Sequence, residues 1–175
     1  MRRVLLLLCA CLLLAGFGWP NAGDMLGKRL VAPGGTSPIL PTARIEQAVA
    51  RLPHRQGFVA TSAGVPLFWR AFDPGDYVLD YAYRPDGTTH GRMQFDLDFA
   101  IPRATPMAPR GTVVLLHGWM MDGGSLLPWS LQLAQAGYRT ISLDLRNHGR
   151  SGTAPSGCGL REARDVADAI TALRA

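Results

Sequence analysis

The stretch TVVLLHGW, residues 112–119, decides the fold. Its first five residues are apolar or β-branched without polar alternation, which is typical of a strand that is buried on both faces. The run then breaks abruptly into His117 and Gly118. A second run of similar character, RTISLDLRNHGRSG (139–152), also ends in a histidine followed by a glycine. Two such strands predict a parallel sheet, and they raise the question of whether either histidine takes part in chemistry.

The segment between the two runs completes this prediction. SLLPWSLQLAQAGY (125–138) is predicted to be a helix in which Ser125 is the N-cap, Pro128 lies in the first turn and Gly137 ends the helix. A strand, a helix and a strand with short connections form a βαβ unit, whose strands are parallel. Because ligands bind at the carboxyl ends of strands in open α/β sheets, we expect both histidine–glycine pairs to face one crevice.

Further elements are predicted on both sides of this unit. TARIEQAVARL (42–52) has apolar residues at helical spacing and predicts a short amphipathic helix. GFVATSAGVPLFWRAF (57–72) predicts two short strands. Residues 79–101 alternate between apolar and polar on both sides of the turn RPDGTTHG, which predicts an antiparallel hairpin. REARDVADAITALRA (161–175) predicts a final helix with one apolar stripe.

Residues 1–22 predict a secretory signal peptide or a short membrane anchor. They have a basic start and an apolar run, and that run is shorter than the roughly 20 residues that span a bilayer. LLLAGF resembles a bacterial lipobox with Phe17 in place of the cysteine, and LCAC, ending at Cys11, is a poorer alternative, so export is favoured over lipidation. We expect an exported protein (periplasmic, secreted or envelope-anchored) with a linker and short helix in 23–56 and the main domain in 57–175.

The composition makes several classes of protein improbable. The net charge is +5, and the basic residues are almost all arginines scattered along the chain, unlike a nucleic-acid-binding surface. Cys9 and Cys11 lie in the predicted leader. A mature chain therefore keeps Cys158, which by itself forms neither an internal disulfide nor a zinc site. The sequence predicts no nucleic-acid partner, no cofactor and no metal, and membrane contact only through an uncleaved leader.

The motifs TVVLLHGWMMDGGS and LAQAGYRTISLDLRNHGRSG, taken together and in this order, resemble the α/β-hydrolase superfamily, in particular its serine esterase, lipase and peptidase branches. The resemblance covers about residues 78–175, including REARDVADAI. It implies the amino-terminal portion of an α/β-hydrolase fold. That portion has an antiparallel hairpin, then a βαβ unit of a mostly parallel sheet, and ends before the strand that leads into the nucleophile elbow.

This resemblance implies an oxyanion hole in the loop that follows VVLLHG. Such a hole needs a donor fixed where negative charge develops on the carbonyl oxygen of a tetrahedral intermediate. Gly118 permits the tight turn and Trp119 presents its backbone N–H, with Met120 as the alternative donor. The competing interpretation is a plain strand-to-helix turn in which Trp119 is a core residue or a pocket wall. His117 matches a family histidine that organises this loop and transfers no proton.

The second motif resembles the family's turn D-x-R-G-H-G-x-S, with Asn147 where glycine is commoner. The matching residues are Asp144, Arg146, His148, Gly149 and Ser151. In the family these groups tie the loop to its neighbours. An aspartate and a histidine also suggest a triad, but the family's catalytic acid and histidine follow the nucleophile in chain order. His148 is therefore not expected to be the catalytic base.

No nucleophile elbow, G-x-S-x-G, occurs in the 175 residues. Residues 149–153 (GRSGT) are a near miss that follows the wrong strand. In the family the elbow strand comes after a helix such as 161–175 and pairs with the strand equivalent to 112–116. We therefore expect the amino-terminal half of an exported hydrolase that cleaves ester or amide bonds with a serine nucleophile. The chain alone is expected to be inactive and poorly stable, with an exposed, aggregation-prone edge at 112–116.

Two other classes of function compete with this hypothesis. The alternative is a non-catalytic, exported binding or assembly module that retains half of the fold and needs a partner to cover the exposed edge. Nucleotide binding is disfavoured, because residues 117–124 match neither G-x-G-x-x-G nor G-x-x-x-x-G-K-[ST]. None of these residues predicts the substrate.

Overall fold

The computed structural model describes Gly27 and residues 42–85, 93–100 and 107–174. The predicted leader and all of the predicted linker before Thr42 except Gly27 lie outside this part of the chain. The strands and helices below belong to the unit Ala32–Ala175. Across the described ranges, no helix combines the length and apolar character that a membrane span requires.

The described residues form three α-helices, six strands and one 3₁₀ helix. In chain order these elements are α1 (Thr42–Val49), β1 (Arg55–Ala60), β2 (Pro66–Phe72), β3 (Val78–Pro85), β4 (Met93–Ala100), β5 (Thr112–Leu116), the 3₁₀ helix (Gly123–Leu126), α2 (Leu127–Gln135), β6 (Arg139–Leu143) and α3 (Glu162–Arg174). The predicted helices and strands are all present, with ends that differ by a few residues.

One local prediction is wrong, because Ser125 is not the N-cap of α2. A 3₁₀ helix precedes α2, and its N-cap is Asp122, whose side chain accepts a hydrogen bond from the N–H of Ser125 at 3.1 Å. Ser125 lies inside this helix. Pro128 sits in the first turn of α2, where its missing N–H costs no hydrogen bond.

The main sheet has four strands in the order β1-β2-β6-β5. β5 and β6 are parallel, with Val114 opposite Ile141, so the predicted βαβ unit is confirmed. β2 runs antiparallel to both β1 and β6, and Arg70 lies opposite Ser142. β3 and β4 form a separate two-stranded antiparallel sheet, which confirms the predicted hairpin.

Helices cover both faces of the main sheet. Ala71 and Phe72 are neighbours on β2 and therefore point to opposite faces. Phe72 packs with apolar residues of α1 and α2, whereas Ala71 packs in the cluster that includes Ala169 of α3. The helix predicted within the linker is thus part of the core, and its Ile45 is only 2% exposed.

β5 is less buried than its sequence predicts. Val113, Val114 and Leu115 are half-buried, and Leu116 is 47% exposed. In the order of the sheet β5 is an edge strand, since the described residues contain no strand on its outer side. A groove of about 310 Å³ lies beside it, between the sheet and α3. The apolar composition of β5 therefore exceeds what the described part of the sheet buries.

Candidate active site

Two loops meet at the carboxyl ends of β5 and β6. We name residues 117–122 the β5 loop and residues 144–152 the β6 loop. Because the two strands are parallel and adjacent, both loops leave the sheet at the same edge. The ring centroids of His117 and His148 are 4.9 Å apart, so the two histidine–glycine pairs face one region, as the sequence predicts.

Both histidines bond to backbone groups through both ring nitrogens. The Nε2 atom of His117 accepts the N–H of Leu145 at 2.9 Å, and its Nδ1 lies 2.8 Å from the carbonyl oxygen of Gly118. The Nε2 atom of His148 accepts the N–H of Met120 at 3.4 Å, and its Nδ1 lies 2.9 Å from the carbonyl oxygen of Arg146. These partners assign the proton to Nδ1 in both rings, which are then neutral.

This arrangement is consistent with an organising role for both histidines. Burial lowers the pKa of His117, and a charge on His148 would lower it further, while the Gly118 carbonyl and Asp122 act in the opposite direction. A buried ring whose nitrogens are both bonded to the backbone has no lone pair directed at a reacting group.

The β5 loop makes a tight turn directly after His117. The N–H of Met121 donates to the carbonyl oxygen of Gly118 at 3.1 Å, and Met120 has a φ of 62°, in the left-handed region. The N–H of Met120 points to the ring of His148. The side chain of Trp119 is 52% exposed, which argues against the competing interpretation of a core residue.

Asp144, the first residue of the β6 loop, connects that loop to the chain directly after the β5 loop. Its buried carboxylate accepts the N–H of Gly123 at 2.6 Å, in the first residue of the 3₁₀ helix that follows the β5 loop, and the N–H of Arg150 at 2.7 Å, within the β6 loop. Burial raises the pKa of Asp144, and these two N–H groups partly offset the effect. A carboxylate with both oxygens bonded to the backbone is a structural anchor for the loops.

Two residues of the β6 loop have left-handed backbones. Gly149 has a φ of 52°, and any Cβ built on it would overlap the carboxylate of Asp144. Glycine is therefore required there. Asn147 has a φ of 62° at the position where the related motif more often has glycine. Asparagine tolerates this conformation better than most residues, so the departure from the motif keeps the turn.

Ser151 links the β6 loop to β2. Its Oγ accepts the N–H of Phe68 at 2.8 Å and donates to the carbonyl oxygen of Asp144 at 2.6 Å. Its hydroxyl proton is therefore directed at a backbone carbonyl and away from any general base. The near-miss sequence GRSGT carries a structural serine.

Replacing Ser151 by alanine is expected to lower the free energy of unfolding by about 1–3 kcal/mol, because it leaves the N–H of Phe68 without its acceptor. Urea denaturation followed by circular dichroism measures this loss. Ser156→Ala is the matched control, since the Ser156 hydroxyl is buried without a hydrogen-bond partner in the described part of the chain. Equal losses in the two variants would contradict the assignment.

Arg146 fixes the β6 loop to α3. Its Nε and Nη2 atoms donate to the two carboxylate oxygens of Asp165 at 2.6 and 2.8 Å, and both residues are buried. The hydrogen bonds that Arg146 donates to Asp165 are the largest influence on the pKa of Arg146, and they raise it. This pair accounts for the arginine that the sequence motif singles out.

Sequence reasoning missed two members of the site. Asp122 caps the 3₁₀ helix, and the signal was available, because aspartate is one of the preferred N-cap residues at a helix start. Asp165 gave no such signal. It is one of several acidic residues on an amphipathic helix, and only the fold shows that it meets Arg146.

The comparisons with known proteins agree with this architecture. Residues 113–175 match the model of the alpha/beta hydrolase family. An esterase from Pyrococcus furiosus has a similar structure, with a TM-score of 0.50 and 16% identity over 82% of this chain and 41% of its own. An esterase from Exiguobacterium antarcticum gives a TM-score of 0.44 and 18% identity over 69% of this chain and 32% of its own.

The chain thus spans less than half the length of either esterase. No curated protein matches the sequence significantly. At such low identity the likeness to the Pyrococcus furiosus structure concerns the fold, which is a partial α/β-hydrolase sheet with its helices.

Proposed function

Because the chain is a member of the α/β-hydrolase superfamily, we propose that it forms the amino-terminal half of an ester-hydrolysing centre and supplies its oxyanion hole. The observation that carries the proposal is the β5 loop. It turns sharply at the carboxyl end of β5, where Met120 has a left-handed backbone and its N–H donates to His148.

The chemistry is acyl transfer to water. A serine hydroxyl attacks the ester carbonyl while a histidine takes its proton, and the carbonyl oxygen becomes an oxyanion. The N–H of Trp119 donates to this oxyanion and stabilises the tetrahedral intermediate. The intermediate then expels the alcohol, which receives the proton from the histidine, and water hydrolyses the acyl-enzyme by the same steps. Amide substrates follow the same course with an amine leaving group.

The nucleophile, the acid and the base of this proposal lie outside the 175 residues. In the described part of the chain β5 is an edge strand, which supports this part of the proposal, because a further parallel strand there would set its carboxyl end beside the β5 loop. Labelling with a serine-directed fluorophosphonate tests it. The purified 175-residue chain should remain unlabelled, and a longer product of the same reading frame should be labelled. A label on the 175-residue chain overturns the assignment.

Replacing Trp119 by proline in the labelled, longer product is expected to lower kcat by about 10²–10³-fold, because proline has no N–H to donate. Hydrolysis of p-nitrophenyl acetate measures the change. Trp119→Ala is the matched control, since it removes the exposed indole and keeps the N–H. It should retain kcat within about tenfold, which is less than the loss of an oxyanion donor costs. Similar losses in both variants would show that the indole is responsible.

A non-catalytic binding module is the second candidate, and it is favoured by the place of β5 at the edge of the sheet, as far as the structure describes it, and by the adjacent groove. The coding sequence after codon 175 separates the two proposals. A G-x-S-x-G within about 15–25 codons, given usual loop and strand lengths, supports the hydrolase. Its absence together with a stable hetero-complex supports the module.

We also propose that the protein is exported, on the basis of the predicted leader in residues 1–22. Fractionation of cells that express the whole sequence tests this, with the mass of the product showing whether the leader has been removed.

A further inference from the structure

Two buried histidines exchange hydrogen bonds between the β5 loop and the β6 loop. His117 belongs to the β5 loop and accepts the N–H of Leu145 in the β6 loop. His148 belongs to the β6 loop and accepts the N–H of Met120 in the β5 loop. Both rings are 5% exposed. The two bonds run in opposite directions between the same pair of loops, and we call these two residues the histidine brace.

We infer that the histidine brace positions the peptide units of Trp119 and Met120, and that each of its two bonds forms only while its own ring is neutral. The effect of the brace on catalysis rests on the proposed function, whereas its hydrogen bonds do not depend on that proposal. In each ring Nδ1 donates to a carbonyl oxygen, so Nε2 needs its lone pair to accept a backbone N–H. A proton on Nε2 occupies that lone pair, and the new N–H of the ring then points at the backbone N–H that it would otherwise accept.

The β5 loop needs such support at Met120. This residue has a φ of 62°, a left-handed conformation that side chains other than glycine adopt at a cost in free energy. The bond from its N–H to His148 offsets that cost. Once the bond is lost, Met120 is free to adopt a negative φ, and this rotation turns the peptide between Trp119 and Met120 and so displaces the backbone of Trp119. His148 is therefore a positioning residue for the proposed oxyanion donor.

The groups around the brace determine the direction of its pH dependence. His117 faces His148 and Asp122. Burial is the largest influence and lowers the pKa of His117, so the folded protein takes up this proton less readily than the unfolded chain does. The contribution of His117 to stability is therefore fully present above the unfolded pKa of about 6.5, and it decreases as the pH falls towards the lower folded pKa.

The nearby carboxyl groups act in the opposite direction. Burial raises the pKa of Asp122, and the charge of Asp144 raises it further; burial likewise raises the pKa of Asp144, which faces Arg70 and Arg150. An acid with a raised pKa stabilises the fold when protonated, and this contribution is lost as the pH rises through its folded pKa. Acid therefore weakens the histidine brace, whereas protonation of Asp122 and Asp144 stabilises the folded chain. Because the two effects have opposite signs, we expect the β5 loop to open locally before the chain unfolds globally.

Amide hydrogen exchange on the ¹⁵N-labelled chain tests the inference, with ring nitrogen shifts recorded in the same samples. At pH 7.5 both rings should carry the proton on Nδ1. Where the nitrogen shifts show a proton on Nε2 of His148, the protection factor of the Met120 amide should be about tenfold lower, as the loss of one hydrogen bond predicts. Constant protection through ring protonation, or rings that stay neutral until global unfolding, would overturn the inference.

Three variants make the test specific. His148→Gln keeps an acceptor near the position of Nε2 that does not titrate, so protection of Met120 should persist at acid pH. His148→Leu has no acceptor, and protection should already be lost at pH 7.5. His54→Gln is the control, because His54 bonds to Leu52 outside both loops, and it should retain the wild-type response.

The wild-type chain and His148→Gln decide the outcome even where His148→Leu does not fold. A wild-type response in His148→Gln contradicts the inference. None of these measurements needs a nucleophile. A negative result would therefore contradict the brace and leave the proposed hydrolysis untouched, and an inactive longer product would contradict the hydrolysis and leave the brace untouched.

Discussion

Replacing Asp165 by asparagine will lower the free energy of unfolding by about 3–5 kcal/mol, because it leaves the guanidinium of Arg146 charged and buried without its carboxylate. Arg146 is 5% exposed and Asp165 is fully buried, so water compensates poorly for the lost partner. The amide keeps the shape of the side chain, which limits the change to charge and hydrogen bonding. Chemical denaturation monitored by circular dichroism measures the loss.

The matched control is the same substitution at an exposed ion pair. Asp73 bonds to Arg55 at 3.1 Å and to Arg139 at 2.7 Å, and its side chain is 50% exposed. Asp73→Asn should cost less than about 1 kcal/mol, since exposed pairs are screened by water and salt. A loss at Asp165 no larger than the loss at Asp73 would show that α3 and the β6 loop are held together by other contacts.

Replacing Gly149 by alanine will lower the free energy of unfolding by about 2–4 kcal/mol, which combines a left-handed backbone with an overpacked site. The new Cβ would overlap the carboxylate of Asp144. Relief of this overlap requires Asp144 to move, and its bonds to the N–H groups of Gly123 and Arg150 are then weakened. The same denaturation experiment measures the loss. Altered amide shifts of Gly123 and Arg150 would show that Asp144 has moved.

Gly64→Ala separates the two causes. Gly64 has a φ of 74° in the turn between β1 and β2, and a Cβ there meets no atom within 4 Å. Only the backbone cost of about 1 kcal/mol should remain. If the alanine variants at positions 64 and 149 lose equal stability, the carboxylate of Asp144 is more mobile than its bonds imply.

The sequence predicts the elements of this fold better than their arrangement. The unbroken apolar runs at 112–116 and 139–143 predict β5 and β6, and strict alternation predicts the β3–β4 hairpin. A strand buried on both faces is apolar throughout, whereas a strand buried on one face has apolar residues at every second position. Nothing in residues 66–72 shows that β2 lies beside β6. Backbone pairing is nearly independent of side-chain identity, so the partner of a strand is a property of the whole sheet.

The same distinction applies to the site. The motifs around His117 and His148 indicate two loops at one edge of the sheet, and their order along the chain favours organising roles over proton transfer. The sequence does not show that each ring accepts an N–H from the opposite loop, because that exchange depends on the parallel register of β5 and β6. The sequence does not reveal the role of Asp165 for a similar reason, since its partner Arg146 lies in another element. The roles of Trp119 and Met120 in catalysis remain predictions.

The place of β2 in the sheet also affects how the chain folds. β2 lies between β1 and β6, and its Arg70 pairs with Ser142, 72 residues later in the chain. The β1–β2 and β3–β4 hairpins are local and can form early, whereas the main sheet closes only after β6 has been synthesised and a long loop has been ordered. Until then β2 has an unpaired edge. A nascent chain therefore exposes the edge of β2 until β6 has been synthesised, and an unpaired strand edge is prone to pair with other chains during this interval.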